Sequence, residues 1–315
     1  MIYSDYVLIE KFRPKTIEEC ILPDNIKKEF ESYILADKIP NLVLVGSSGV
    51  GKTTIAYALA NELGYDILYI NGSNEGRSID TLRGVVTDFA SSMSLYSNRK
   101  VIIIDEADGV PNLVQDGLRS FIEEYATVCS FILTVNNKSK LIPALVSRFV
   151  EVNFTIPQDQ KNKIAVAMMK RIMEILTKEN VTFEKEAIAG LVKRFFPDFR
   201  RTLNELQRYA SGGEFMLAQL ANVDADINTL IKNIKDKNFT NTVEAIEKMS
   251  NVDISIIVEE LYNNKSQYSN ANDIPIVIKI LSDYLDKASR TSNPKITCLA
   301  MIAEIMSVLE WYGRY

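Results

Sequence analysis

Eight consecutive residues, Gly46, Ser47, Ser48, Gly49, Val50, Gly51, Lys52 and Thr53, fit the pattern G-x-x-x-x-G-K-[ST]. The glycines let successive backbone N–H groups turn into one concavity, which is what a phosphate requires. Lys52 can reach the outer phosphates of a nucleotide, and the Thr53 hydroxyl can ligate Mg²⁺. A helix opening through Thr54 would add the positive end of its dipole. Fifty-three residues beyond Lys52, an apolar run ends in Asp105 and Glu106, with Asp108 just after. Two carboxylates at a strand end suit two jobs: Asp105 holding the metal shell, and Glu106 polarising a water that attacks the γ-phosphate. Asn136, ending another apolar run, could orient that water without adding charge, or could simply make an Asn turn. Arg148 and Arg200 could steady developing phosphate charge through their fixed guanidinium forks, or could serve as surface ion-pair partners.

These groups need rigid elements to hold them. Residues 42–45, 67–70, 101–104, 131–135 and 150–154 read as strands, and 53–63, 79–93 and 113–125 between them repeat apolar residues at helical spacing. Continuous apolar strands alternating with helices predict an α/β domain over 1–155, with a parallel sheet covered on both faces. Ligands of such sheets sit at the carboxyl ends of the strands, and every motif above falls there. Pro157 ends the alternation. Strand runs then disappear, and 160–176, 185–195 and 200–210 read as a small helical domain over 156–212, with a hinge at Ser211, Gly212 and Gly213. The remaining residues, 213–315, read as helical, with polar loops at 263–272 and 289–295. The last helix, 296–312, carries charge only at Glu304 and Glu310. A helix apolar around most of its circumference needs burial on several sides, in its own domain or at a subunit interface.

Composition narrows the chemistry. Among 315 residues there is no histidine, which removes Ser-His-Asp and Cys-His nucleophiles, His-ligated zinc and histidine acid/base catalysis. Cys20, Cys129 and Cys298 are too far apart for a CxxC metal ribbon, and so sparse a set suits a reducing compartment. No apolar run approaches the ~20 residues that cross a bilayer. With no basic start leading into an apolar stretch, the expected location is a cytoplasm. Net charge is −5, but 155–211 carry 11 Lys+Arg against 7 Asp+Glu, a weakly basic middle between acidic flanks.

Taken together these residues resemble the AAA+ ATPases, and within them the clamp-loader branch, here most similar to the large ATPase subunits of T4-type phage clamp loaders. The loop and Asp105-Glu106 fit Walker A and B, Asn136 the sensor-1 position, and Arg200, in Asp-Phe-Arg-Arg, sensor 2. Ser147-Arg148-Phe149 resembles the Ser-Arg-Cys motif, with Phe149 replacing cysteine. The resemblance implies an arginine reaching into a neighbouring subunit's ATP. Ile9-Glu-Lys-Phe12-Arg13-Pro14 looks like the box that packs around adenine, with Ile21 in the following Glu19-Cys-Ile-Leu-Pro23. The family further implies a ring of four copies plus one smaller, non-identical subunit, held by a helical collar. ATP and Mg²⁺ would drive it to load a sliding clamp on primer–template DNA. By position, Arg77, Ser78 and Arg83 are the candidates for gripping template phosphates, the alternative being ordinary helix surface. Gln115 matches a position that couples DNA to Glu106. Short apolar segments near 85–95 are candidate clamp contacts, the alternative being ordinary core, which their spacing does not distinguish.

Two departures stand out: the zinc module of bacterial clamp loaders is absent, and the loop reads Ser-Ser where Pro-Pro is common. Asp-Glu-Ala-Asp at 105–108 also prompts a helicase reading, which a single nucleotide fold without histidine does not support. A helicase loader or ring translocase shares every catalytic residue and stays open. A non-hydrolysing scaffold subunit would typically lack Lys52 or a catalytic carboxylate, and both are present.

Overall fold

The structure, a computed structural model, describes residues 7–92, 99–249, 254–288 and 291–311, with backbone alone at 77, 221–226 and 310–311. It forms two compact units, Met1–Met216 and Leu217–Tyr315. In the first, α1 (Leu8–Lys11) and α2 (Asp24–Leu35) lead into an alternation of β1 (Leu42–Val45), α3 (Lys52–Glu62), β2 (Asp66–Asn71), α4 (Ile79–Ser91), β3 (Lys100–Asp105), α5 (Asn112–Glu124), β4 (Cys129–Val135), α6 (Pro143–Val146) and β5 (Val150–Asn153). The strands pair in parallel, in the order β2-β3-β4-β1-β5.

Burial explains why the central strands are unbroken apolar runs. Successive side chains point to opposite faces. Leu42, Leu44, Val101, Ile103 and Ile132 pack against Ile55, Ala56 and Leu59 of α3. Val43, Ile102, Ile104, Phe131 and Leu133 pack against Leu82 and Val86 of α4 and Leu118 and Phe121 of α5. At the β5 edge only Val152 is buried, while Val150, Glu151 and Asn153 are exposed. One charge enters this region: Lys100 is buried, and its ammonium donates to Phe89 O (2.7 Å), Ala90 O (3.0 Å) and Ser92 O at the end of α4. Those are the carbonyls that a helix C-terminus leaves unpaired, and a cation there complements the helix dipole.

The first unit continues with α7 (Lys161–Lys178), β6 (Thr182–Phe183), α8 (Lys185–Phe195), α9 (Phe199–Tyr209) and β7 (Glu214–Phe215). Here the sequence reading needs two corrections. Strands do not end at Pro157, because β6 and β7 pair in parallel. Nor are Ser211, Gly212 and Gly213 an open hinge. They make a tight turn through Gly213 (φ +88°), whose carbonyl accepts from Thr182 N–H at 3.1 Å, and fully buried Phe215 anchors the exit. The chain before β1 is strapped to these helices. Leu8 N–H donates to Gln207 Oε1 (3.0 Å), Lys11 pairs with Glu179 (2.6 Å), Arg171 donates to Phe12 O (3.2 Å), and Lys163 pairs with Asp24 (2.6 Å).

The second unit is helical: α10 (Leu217–Lys235), α11 (Phe239–Lys248), α12 (Ile254–Asn263), α13 (Ile274–Ala288) and α14 (Pro294–Trp311). In α14, Cys298, Met301, Ile302, Ile305, Met306 and Leu309 are buried within the unit, whereas Ile296 is 63% exposed. Burial in its own domain therefore accounts for most of this helix's apolar surface. No helix among the described residues is long and apolar enough to cross a membrane.

Candidate nucleotide site

A cleft of roughly 1140 Å³ opens at the carboxyl ends of the strands. Ser48, Gly49, Val50, Gly51, Lys52, Thr53, Thr54, Asp105, Glu106 and Asn136 line one part of it; Phe12, Arg13, Pro14 and Ile21 line another, and Arg200 of α9 a third. The structure thus brings together most of the residues singled out by type and spacing, from both halves of the first unit.

The loop after β1 meets the start of α3 at Gly51, which no side chain caps. Among the described residues the amides of Lys52, Thr53 and Thr54 have no acceptor. Unpaired first-turn N–H groups at a helix N-terminus are an anion site. Lys52, buried beneath, donates to Gly46 O, Ser47 O and Asn136 Oδ1, each at 2.8 Å. Burial pulls its pKa below the usual lysine value, with the Asp105 charge opposing. A phosphate oxygen would compete well for this ammonium, because an anionic acceptor adds Coulomb attraction that the neutral carbonyl and amide oxygens lack. Gly46 and Ser47, expected to touch the ligand, are not on the cleft wall. Their carbonyls steady Lys52, and Gly46 lies so close to Phe154 that an added Cβ would come 2.8 Å from the Phe154 Cβ.

Thr53 Oγ1 donates to Asp105 Oδ1 at 2.7 Å, and Thr134 Oγ1 donates to the same oxygen. A hydroxyl whose hydrogen is committed in this way offers only lone pairs outward, as a Mg²⁺ ligand must. The donor set fits the ion: one hydroxyl and one carboxylate, both hard oxygens. Glu106 is exposed and sits at φ +54°, a left-handed conformation uncommon for a non-glycine residue. Its N–H donates to Thr134 Oγ1 (3.0 Å), and its carboxylate accepts from Ser73 Oγ (2.7 Å). Gly72 permits this approach, since a Cβ there would lie 2.8 Å from Glu106 O. Asp108 accepts, at longer range, from the amides of Asn136 (3.4 Å) and Asn137 (3.3 Å).

Also on the cleft wall, Arg13 Nε is buried with no partner among the described residues, although Nη2 reaches Glu10 at 2.7 Å. An unpaired buried donor on the wall of a cleft fits a ligand acceptor. Arg200 is brought in by α9, whose Asp198 caps Arg201 N–H (2.8 Å) while Phe199 N–H donates to Gly49 O (3.0 Å).

Other expected residues lie elsewhere. Arg148 does not line the cleft; its guanidinium is held by Glu123 of α5 (Nε–Oε1 2.8 Å) and by Ala144 O. That contact keeps the Glu123 carboxyl below its usual pKa. The Arg77 side chain lies outside the described residues. Ser78 caps α4 by accepting from Thr81 N–H (3.4 Å), and Arg83 is exposed over the Phe121 ring, 5.4 Å from its centroid. Gln115 is buried. It donates to Val110 O (2.9 Å) and Lys140 O (3.0 Å) and accepts from Ile142 N–H (2.9 Å), joining the loops that follow β3 and β4. Sequence reasoning missed Ser73, Thr134, Tyr69 and Arg171. Of these, Ser73 carried a signal in Asn71-Gly-Ser, which also fits the clamp-loader branch, and Thr134 carried one as a hydroxyl in an apolar strand, two residues before Asn136.

Comparison with known proteins agrees with this geometry. Residues 42–157 match the family model "ATPase family associated with various cellular activities (AAA)", and 160–216 match "Sliding-clamp-loader large subunit, AAA+ ATPase lid domain". The sliding-clamp-loader large subunit of Escherichia phage RB69 is 32% identical over 98% of both chains. Its namesake in Enterobacteria phage T4 is 39% identical over 74% of this chain and 75% of the relative. A replication factor C small subunit of Methanococcus maripaludis is 35% identical over 64% of each. Among solved structures, a RuvB variant of Thermotoga maritima shares the fold, with a TM-score of 0.56 and 18% identity, covering 82% of this chain and 89% of that one. The chain is an AAA+ ATPase and belongs to the sliding-clamp-loader large-subunit family.

Proposed function

We propose that the cleft binds ATP with Mg²⁺ and that its hydrolysis drives the loading of a sliding clamp onto primer–template DNA. The observation that carries this reading is the set of amides of Lys52, Thr53 and Thr54, unpartnered among the described residues, in a cleft that Asp105 and Glu106 line beside them, with Thr53 Oγ1 2.7 Å from Asp105 Oδ1. Backbone amides and Lys52 would hold the phosphates. Thr53 and Asp105 would hold Mg²⁺, which neutralises phosphate charge when bound. Glu106 would take a proton from the attacking water once it leaves Ser73, and Asn136 would orient that water. Phe12, Arg13, Pro14 and Ile21 would enclose the base, and Arg200 would follow the phosphates as the lid helices settle.

Arg148 does not line its own cleft and is held by Glu123 instead, which supports action on a neighbour's nucleotide. In this reading several copies, four by analogy with the family, assemble with a smaller subunit. Template contact through Arg77, Ser78 and Arg83 would be sequence-indifferent and salt-sensitive. Gln115 would transmit it, because it ties the loop after Glu106 to the loop after Asn136. The test is the ATPase rate with and without a sliding clamp and primed DNA. Stimulation by both together supports clamp loading. Turnover indifferent to the clamp points to a ring translocase or helicase loader, and binding without turnover to a scaffold subunit.

A further inference from the structure

The Asp105 carboxylate is gripped at both oxygens. Thr53 and Thr134 converge on Oδ1, and Oδ2 accepts from the Tyr69 hydroxyl at 3.1 Å. Tyr69 comes from β2, the neighbouring strand, in the register that sets Asn71 beside Asp105. Its ring is itself held: it stacks on Tyr57 of α3, with centroids 5.9 Å apart and planes at 27°. The Tyr57 ring lies 5.7 Å from the Arg13 guanidinium carbon. A continuous ladder therefore joins Arg13, on the cleft wall, to the carboxylate.

We propose that Tyr69 is a positioning residue for the metal-binding carboxylate Asp105, keeping the Thr53 hydroxyl turned so that its lone pairs face Mg²⁺. This rests on the Mg²⁺–nucleotide reading above. An ionised carboxylate only accepts hydrogen bonds, so the phenol donates. The last torsion of an aspartate is broad and two-fold, so a carboxylate held at one oxygen swings easily. A donor on Oδ2 stops that swing, and Oδ1 then stays where the Thr53 hydrogen needs it. Outer-shell donors of this kind orient the ligand, and their loss typically weakens metal binding about 10–100-fold.

The test titrates Mg²⁺ into the full chain saturated with a fluorescent N-methylanthraniloyl-ADP, so that no turnover is read. Tyr69→Phe keeps the ring and its stack and deletes only the hydroxyl. It should raise the half-saturating Mg²⁺ concentration roughly tenfold and leave nucleotide affinity in EDTA unchanged. Tyr57→Phe, which keeps the stack, should leave both unchanged. A Tyr69→Phe titration that overlays the wild type overturns the proposal. So does a loss of affinity in EDTA, which would mean that Tyr69 shapes the cleft rather than the metal ligand. A wild type that binds no labelled ADP, or binds it with no Mg²⁺ dependence at all, sinks the Mg²⁺–nucleotide reading as well, which separates the two failures.

Discussion

Gly49→Ala should loosen α9 and Arg200 from the phosphate loop, and one backbone strain and two hydrogen bonds set the size of the effect. Gly49 sits at φ +76°, where an alanine costs about 1–2 kcal/mol. Its Cβ would come 2.9 Å from Asp198 Oδ2 and closer to Oδ1, so the carboxylate must leave. Asp198 then gives up its 2.8 Å cap on Arg201 N–H, a type of bond whose loss costs about 0.5–2 kcal/mol. The 3.0 Å bond from Phe199 N–H to Gly49 O is strained with it, at about 0.5–1.5 kcal/mol. Together the strain and the two lost bonds would cost the first unit about 2–5.5 kcal/mol, measurable by guanidinium unfolding. Asp198→Ala alone should cost about 0.5–2 kcal/mol. Because alanine lacks the three atoms nearest the new Cβ, the double variant should cost less than the sum of the singles by about 0.5–2 kcal/mol. Strict additivity, or a Gly49→Ala variant within about 0.5 kcal/mol of the parent, would refute the contact's role.

Three further outcomes are expected. Glu106→Gln should retain nucleotide affinity and lower single-turnover hydrolysis by roughly 10²–10⁴, the usual contribution of a general base; an unchanged rate removes Glu106 from that role. Arg148→Ala should leave nucleotide binding by the isolated chain intact but slow turnover in the assembled complex, where trans-acting arginines of related NTPases contribute ~10³–10⁵. Equal rates in assembled wild type and variant would argue against it. Burial raises the Cys20 thiol, beside Glu19, and the Cys298 thiol to about 12, so both stay protonated at pH 8. A chromogenic disulfide reagent should label them slowly in the native chain, faster as pH rises toward that value, and at once in denaturant. Rapid native labelling at pH 8 would contradict the burial.

The nucleotide-binding half was legible because its signals are local. The loop at 46–53 is a contiguous pattern, the central strands are apolar throughout because both faces are covered, and α3 begins where the loop requires. What escaped the sequence is tertiary. Ser73 meets Glu106, and Tyr69 meets Asp105, only because β2 and β3 lie side by side, and no spacing along the chain encodes that pairing. The β6–β7 ladder is two residues long on each side, too short to show any period. Gly212 and Gly213 mark a turn as readily as a hinge; buried Phe215, two residues on, decides for the turn. Gly46 and Ser47 belong to the motif, yet they serve Lys52 through their carbonyls rather than lining the cleft.

The central claim, a nucleotide shared between adjacent subunits, is tested most directly by the structure of the assembled complex with a non-hydrolysable ATP analogue. Phosphates on the amides of Lys52, Thr53 and Thr54, with Arg148 of the adjoining copy reaching the γ-phosphate, is the predicted result. A nucleotide bound elsewhere, or one that Arg148 of no neighbour approaches, would contradict the account.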